Sequence, residues 1–99
     1  MIYSIYWTKK IDNFGMRIMS YFVYILQSQR DLTYYIGYSK DPSVRLIKHN
    51  NSKTGYTATK GPWALVYSEE YDTKSEAIKR EKFLKRQKNT TFYKQLITA

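Results

Sequence analysis

Residues 21 to 39 read YFVYILQSQRDLTYYIGYS, and they contain two aromatic and β-branched segments separated by a polar turn. The first segment, Tyr21 to Gln27, has no glycine or proline, and the second runs from Thr33 to Ser39. This composition is typical of strands. We therefore predict a β-hairpin in which residues 28 to 32 form the loop. Gly37 inside the second strand indicates either a β-bulge or a close approach to the backbone.

A helix is predicted directly after the hairpin. Asp41 can accept the free backbone N–H groups at an N-cap, and proline at position 42 suits the first helical turn. We expect this helix to reach about Asn51, followed by a polar loop around Gly55.

The second half of the chain predicts one more strand and two helices. The strand is Trp63 to Ser68, and the spacing of Thr73 and Glu76 fits a capping box. The helix that this box begins should reach about residue 88, and a short helix should cover residues 91 to 97. The order ββαβαα predicts an α+β fold, with a three-stranded, mainly antiparallel sheet flanked by helices.

Residues 1 to 20 differ from the predicted domain, which covers residues 21 to 97. They contain Met1, Met16 and Met19 and show no clear hydrophobic period. One interpretation is that Met19 or Met16 is the natural start and the upstream stretch is not native. The other is a real extension that adds a strand or a hydrophobic flap. We prefer the first, because residues 21 to 97 suffice for a domain.

Composition narrows the functional classes. The 99 residues have no cysteine, which excludes disulfides, thiolate metal sites and cysteine nucleophiles. We expect a cytoplasmic protein, because the sequence shows neither a signal peptide nor an apolar run long enough to span a bilayer. The net charge of +9 favours a polyanionic partner. Eight of the 17 basic residues lie between Lys74 and Lys94, a stripe suited to phosphates.

Glu81 is the most informative single position. It lies four residues after Ala77 and three before Leu84, so it belongs to the apolar, inward-facing side of its helix. An inward carboxylate is costly unless it is paired or binds a cation. Both a salt bridge with a nearby basic residue and a metal site fit this placement, and by itself the pattern favours the salt bridge.

Four other residues have chemistry that would suit a phosphate site. Arg45 and His49 are four apart and share a helix face. A guanidinium can bind a phosphate with two hydrogen bonds, and an imidazole can relay a proton. Tyr24 and Tyr35 lie on the two hairpin strands. A tyrosine can act as a general base only if a cation lowers its pKa.

The order of these residues resembles the GIY-YIG nuclease superfamily. Phe22-Val23-Tyr24 and Tyr35-Ile36-Gly37 stand for the two name-giving motifs, although Phe22 replaces a glycine. Arg45 follows eight residues after Gly37, and Glu81 lies where the family keeps a metal-binding glutamate. The match covers nearly all of residues 21 to 97 and is most similar to the short, stand-alone endonuclease type.

The resemblance implies a DNA endonuclease that uses one divalent cation, Mg²⁺ or Mn²⁺, bound by Glu81. Related homing and repair enzymes take their target choice from further domains, so a branched or damaged DNA structure, or a protein partner that supplies specificity, is expected. The implied catalytic residues are Tyr24, Tyr35, Arg45, His49 and Glu81, and the implied DNA-contacting residues are Gly37, Lys53, Lys82, Lys85 and Arg86. Tyr24 is the preferred general base or water-positioning group, and Tyr35 could exchange roles with it.

Two other functions are compatible with the sequence. A non-catalytic nucleic-acid-binding module of the same fold would use the basic helix and exposed aromatic side chains. A small protein-interaction module would explain the charge least well. The set of five implied catalytic residues favours the enzyme, because a pure binder does not need an inward carboxylate near phosphates.

Overall fold

The computed structural model describes residues 10–11 and 17–99. Strands β1 (Lys10–Ile11) and β2 (Arg17–Ile18) pair with each other in antiparallel fashion. The predictions about residues 1 to 9 and 12 to 16 lie outside the described residues, and the origin of the N-terminal segment stays a prediction.

The described domain has the predicted α+β architecture, in which three antiparallel strands are flanked by three helices. The first helix has the predicted bounds, the second ends one residue earlier than predicted, and the third is one residue longer at each end. The elements are β3 (Tyr21–Ser28), β4 (Tyr34–Ser39), α1 (Pro42–Asn51), a 3-10 helix (Tyr56–Thr59), β5 (Trp63–Tyr71), α2 (Lys74–Gln87) and α3 (Thr90–Thr98).

The predicted helix starts are confirmed at atomic detail. Asp41 accepts hydrogen bonds from the backbone N–H groups of Ser43 and Val44. At the start of α2, the Thr73 hydroxyl oxygen accepts from the backbone N–H of Glu76 and its O–H donates to the Glu76 carboxylate. These bonds satisfy donors that the first turn of a helix cannot pair internally. None of the described helices combines the length and apolarity needed to cross a bilayer.

Strand β3 lies in the centre of the sheet, between β4 and β5. Its pairing with β4 is unbroken and places Tyr24 opposite Gly37, so the bulge predicted as one alternative at Gly37 is wrong. The irregularity occurs instead on β5, where Val66 is the extra residue between the partners of Ile25 and Leu26. Strand β5 extends three residues beyond the predicted end at Ser68, because its polar end still pairs with the start of β3.

The two faces of β3 bury different layers, because successive side chains of a strand point to opposite faces. Val23 and Ile25 pack in the larger core with side chains from β4, α2 and α3. Tyr24 and Leu26 pack in a smaller cluster with Trp63 and Leu65, and Leu46 of α1 covers its edge. The central strand therefore supplies both the main core and the layer from which the candidate site is built.

Candidate active site

Tyr24 is completely buried, and its ring lies across Gly37 of the neighbouring strand. A Cβ atom on Gly37 would lie only 2.6 Å from Tyr24 Oη and 2.8 Å from Cζ. This is the close approach that the sequence predicted as the second alternative. The absence of a side chain at position 37 thus provides the space in which the Tyr24 hydroxyl reaches α1.

We expect Gly37→Ala to displace the Tyr24 ring, since a rigid, enclosed ring cannot move aside cheaply. Overpacking of this kind costs about 1–3 kcal/mol in free energy of unfolding. Urea denaturation measures this cost. Gly61→Ala is the control, because the atom nearest to its added Cβ would be 3.9 Å away. Equal unfolding midpoints for both variants would show that Gly37 is not needed for this packing.

His49 connects Tyr24 to the 3-10 helix. Its Nε2 atom lies 3.3 Å from Tyr24 Oη, and its Nδ1 atom lies 3.2 Å from Oγ1 of Thr57. Burial lowers the pKa of His49, and the positive charges of Arg45 and Lys48 on the same helix add to the effect. The imidazole is therefore neutral at pH 7, with one nitrogen able to accept a proton.

Tyr35 lies at the rim of the same cluster, half-buried on β4. Its ring centroid is 4.6 Å from that of His49 and 6.5 Å from that of Tyr56. Tyr56 is 50% exposed, and its ring also approaches Trp63. Tyr35 therefore separates the buried Tyr24 and the half-buried His49 from an aromatic surface that solvent reaches.

The Arg45 guanidinium interacts with the Tyr24 hydroxyl, and this contact raises the pKa of Arg45. Its Nε atom is buried and makes no hydrogen bond within the described part of the chain. The pKa of Tyr24 is nevertheless raised, because burial of the phenol outweighs the effect of Arg45. Arg45 alone therefore does not bring the pKa of Tyr24 below its usual value, as a tyrosine general base would require.

Glu81 faces inward, as its spacing predicted, and its side chain is only 13% exposed. Its negative charge is the smallest of the effects that raise the pKa of Tyr24, after burial and the neighbouring Tyr35. Oε2 of Glu81 also lies 3.3 Å from Nζ of Lys85, one helical turn along. Both interpretations of Glu81 therefore stay open, because the salt bridge exists and the carboxylate also acts electrostatically on the Tyr24 hydroxyl. Helix α2 itself packs on the Val23 and Ile25 face of the sheet.

The other basic residues predicted to contact DNA are exposed. Lys53 follows α1, whereas Lys82 and Arg86 lie on the outer side of α2. Arg80 on the same helix differs, because it binds the carboxylate of Glu69 through two nitrogens, at 2.9 and 3.0 Å. The stripe available to a polyanion on α2 thus excludes Arg80.

A divalent cation would find few protein ligands here. No group of three or more histidine or acidic side chains converges within residues 10–11 and 17–99. Mg²⁺ commonly binds through one or two carboxylates and keeps several waters. The inward Glu81 carboxylate fits that mode as a single protein ligand.

The sequence reasoning missed Thr57, which it placed in a featureless loop. Thr57 is buried and touches His49 eight residues away, although nothing in the sequence pattern marks it. Its position depends on Trp63, whose indole N–H donates to the Thr57 carbonyl oxygen at 3.0 Å. Such a contact between distant segments is not encoded in local periodicity.

Comparison with known proteins gives consistent matches. Residues 20–95 match the family described as the GIY-YIG catalytic domain. A UPF0213 protein of Staphylococcus epidermidis is 53% identical over 62 residues, which cover 62% of this chain and 74% of the relative. A UPF0213 protein of Staphylococcus aureus is 45% identical over 80 residues, covering 77% of this chain and 96% of the relative.

A solved structure is also similar. The solution NMR structure of a UPF0213 protein from Bacillus halodurans is 33% identical in sequence, with a TM-score of 0.51. The superposition covers 81% of this chain and 84% of the other. The similarity thus extends across most of the described domain.

Proposed function

Because the chain belongs to the GIY-YIG catalytic-domain family of nucleases, we propose that it is an endonuclease that hydrolyses DNA phosphodiester bonds with one divalent cation. The observation that carries the proposal is the convergence of Tyr24, Arg45 and His49 at one buried hydroxyl, whose pKa also responds to the negative charge of Glu81. A structural core does not require this set of polar groups.

Arg45 is the group that binds the scissile phosphate. Its guanidinium is always charged and presents a planar set of donors that matches two phosphate oxygens. The unpaired Nε–H shows that its donors are not all used within the described residues. As negative charge develops on the phosphate in the transition state, a fixed donor of this kind stabilises it.

The tyrosines and His49 handle the proton of the attacking water. Tyr35 is half-buried and reachable by solvent, whereas Tyr24 is completely buried, so we assign water positioning to Tyr35. Tyr24 then relays the proton inward, because it can accept one and give its own to Nε2 of His49. Neutral His49 is suited to receive it.

Glu81 would hold Mg²⁺ or Mn²⁺, with waters as the remaining ligands. When bound, the cation supplies positive charge next to the phosphate and the leaving oxygen. Lys85 must release the Glu81 carboxylate to allow this. Lys85 is 53% exposed, so its ammonium returns to water, and the cation replaces it as the partner of the inward carboxylate.

The second candidate is a non-catalytic nucleic-acid binder, and one observation favours it. The Glu81–Lys85 salt bridge explains the inward carboxylate without a metal. In that function the exposed Tyr56 would stack on a base. A non-catalytic binder leaves the polar cluster around the Tyr24 hydroxyl without a role, so we prefer the enzyme.

The direct test incubates the purified chain with duplex, branched, flapped and damaged DNA, with Mg²⁺, Mn²⁺ or chelator. Cleavage that needs the cation supports the enzyme. Binding without cleavage of any substrate, in either metal, would instead establish the binder. A co-purifying protein that enables cleavage would identify a specificity partner.

The outer stripe of α2 should supply non-specific affinity. We expect the double variant Lys82→Ala and Arg86→Ala to bind DNA more weakly and with a flatter salt dependence, because each lost phosphate contact reduces the slope by about 0.9. Titrations at several salt concentrations measure the slope. Replacing Lys88, which caps α2, and Lys94 of α3 removes the same charge away from the outer side of α2. An equal effect there would show that the outer side of α2 is not the preferred contact surface.

A further inference from the structure

Thr57 is held firmly against His49. The Trp63 indole ties the 3-10 helix to β5. Asn50 of α1 in turn binds the backbone of Trp63 twice, accepting from its N–H at 2.6 Å and donating to its carbonyl oxygen at 3.1 Å. Three elements thus hold Thr57, a residue that is 7% exposed, with its hydroxyl at hydrogen-bond distance from Nδ1 of His49.

The direction of the hydrogen bonds follows from the donors available. A guanidinium has donors only, so the contact between Arg45 and Tyr24 uses the Tyr24 oxygen as acceptor. The single phenolic proton is then free to be donated to Nε2 of His49. When Nε2 accepts that proton it carries no hydrogen, and the proton of the neutral imidazole resides on Nδ1, facing Thr57.

We propose that Thr57 is a positioning residue, which accepts the Nδ1–H hydrogen bond of His49 and so keeps Nε2 as the proton acceptor facing Tyr24. The second ring nitrogen of a histidine commonly sets the tautomer in this way. The tautomer assignment concerns the free protein, and only its consequence for cleavage rests on the proposed function.

The chain offers a clean measurement, because His49 is its only histidine. In uniformly ¹⁵N-labelled protein without DNA or metal, a long-range ¹H–¹⁵N correlation spectrum reports which ring nitrogen is protonated. At a pH where the ring is neutral, we expect the wild type to show protonated Nδ1. Thr57→Val removes the acceptor, so the signal should shift toward the Nε2–H form. Thr57→Ser should restore the wild-type pattern.

Thr59→Val is the matched control, since it removes an exposed hydroxyl from the same 3-10 helix. It should leave the tautomer unchanged. A wild-type spectrum with protonated Nε2 would overturn the proposal, as would a folded Thr57→Val with the wild-type pattern. If Thr57→Val does not fold, Thr57→Ala replaces it, and the wild-type spectrum alone still tests the donor direction.

Cleavage provides a separate readout. We expect Thr57→Val to lower the cleavage rate by about one order of magnitude, less than the roughly 10²- to 10⁴-fold contribution of general acid–base catalysis. Thr57→Ser should recover it. If no variant or wild type cuts DNA but the tautomer still follows Thr57, the proposed function fails and the positioning role stands. If the protein cuts DNA but the His49 tautomer is unchanged in Thr57→Val, only the positioning role is overturned.

Discussion

Glu81→Ala should abolish metal-dependent DNA cleavage while DNA affinity stays unchanged or rises slightly. A cation at a scissile phosphate contributes several kcal/mol, and each 1.36 kcal/mol changes the rate tenfold, so we expect a loss of roughly 10²- to 10³-fold or more. DNA affinity should not fall, because Glu81→Ala removes a negative charge that would otherwise repel a phosphate. The measurements are cleavage rates in Mg²⁺ and binding titrations, together with calorimetric titration of Mn²⁺ into the protein alone.

Glu76→Gln is the matched control. Glu76 lies on the same helix, is exposed, and serves the helix cap, a role that the amide oxygen of glutamine can keep. It should retain wild-type rates and Mn²⁺ affinity. If Glu81→Ala cuts as fast as wild type, nuclease activity resides elsewhere. If Glu81→Ala only lowers the unfolding midpoint, the salt bridge with Lys85 is its sole role.

The second large effect is expected for Arg45→Ala, which should lower the cleavage rate by roughly two to three orders of magnitude, the usual cost of losing a transition-state donor. DNA affinity should fall much less, because the phosphate is more negative in the transition state than in the bound substrate. Single-turnover rates and separately measured dissociation constants distinguish the two effects.

Two variants sharpen this measurement. Arg45→Lys keeps the positive charge but loses the planar set of donors, so its rate should remain well below that of wild type. Lys48→Ala removes an exposed charge from the same helix and should weaken binding far more than it changes the rate, which it reaches only through the pKa of His49. Equal, purely affinity-based losses in Arg45→Ala and Lys48→Ala would show that Arg45 is an ordinary phosphate contact.

Most of the fold was predictable because its signals are local. The hairpin segments carry their own strand composition, and the caps at Asp41 and Thr73 begin their helices as expected. The end of β5 was not predictable, since its polar residues stay in the sheet through pairing with β3 rather than through apolar character. The position of the 3-10 helix likewise depends on the Trp63 indole, which donates to the Thr57 carbonyl oxygen, while Asn50 accepts from the backbone N–H of Trp63.

The candidate site was also predictable only where local sequence signals determine it. Helical spacing placed Glu81 on the inner face and Arg45 beside His49, and the structure agrees with both placements. Spacing cannot report that Tyr24 is fully buried, because burial depends on packing by α1 and β5. The raised pKa of Tyr24 follows from that burial. The assignment of water positioning to Tyr35 therefore needed the three-dimensional arrangement.

Because side chains alternate along β3, the proposed nuclease activity depends on the correct strand register. Val23 and Ile25 enter the main core while Tyr24, between them, enters the site. A slip of one residue in strand register would exchange these faces, so that the tyrosine would point into the core and the aliphatic side chains into the site. A compact chain with the wrong strand register would therefore be inactive. The active fraction of a preparation would then equal the fraction of molecules whose sheet is correctly paired.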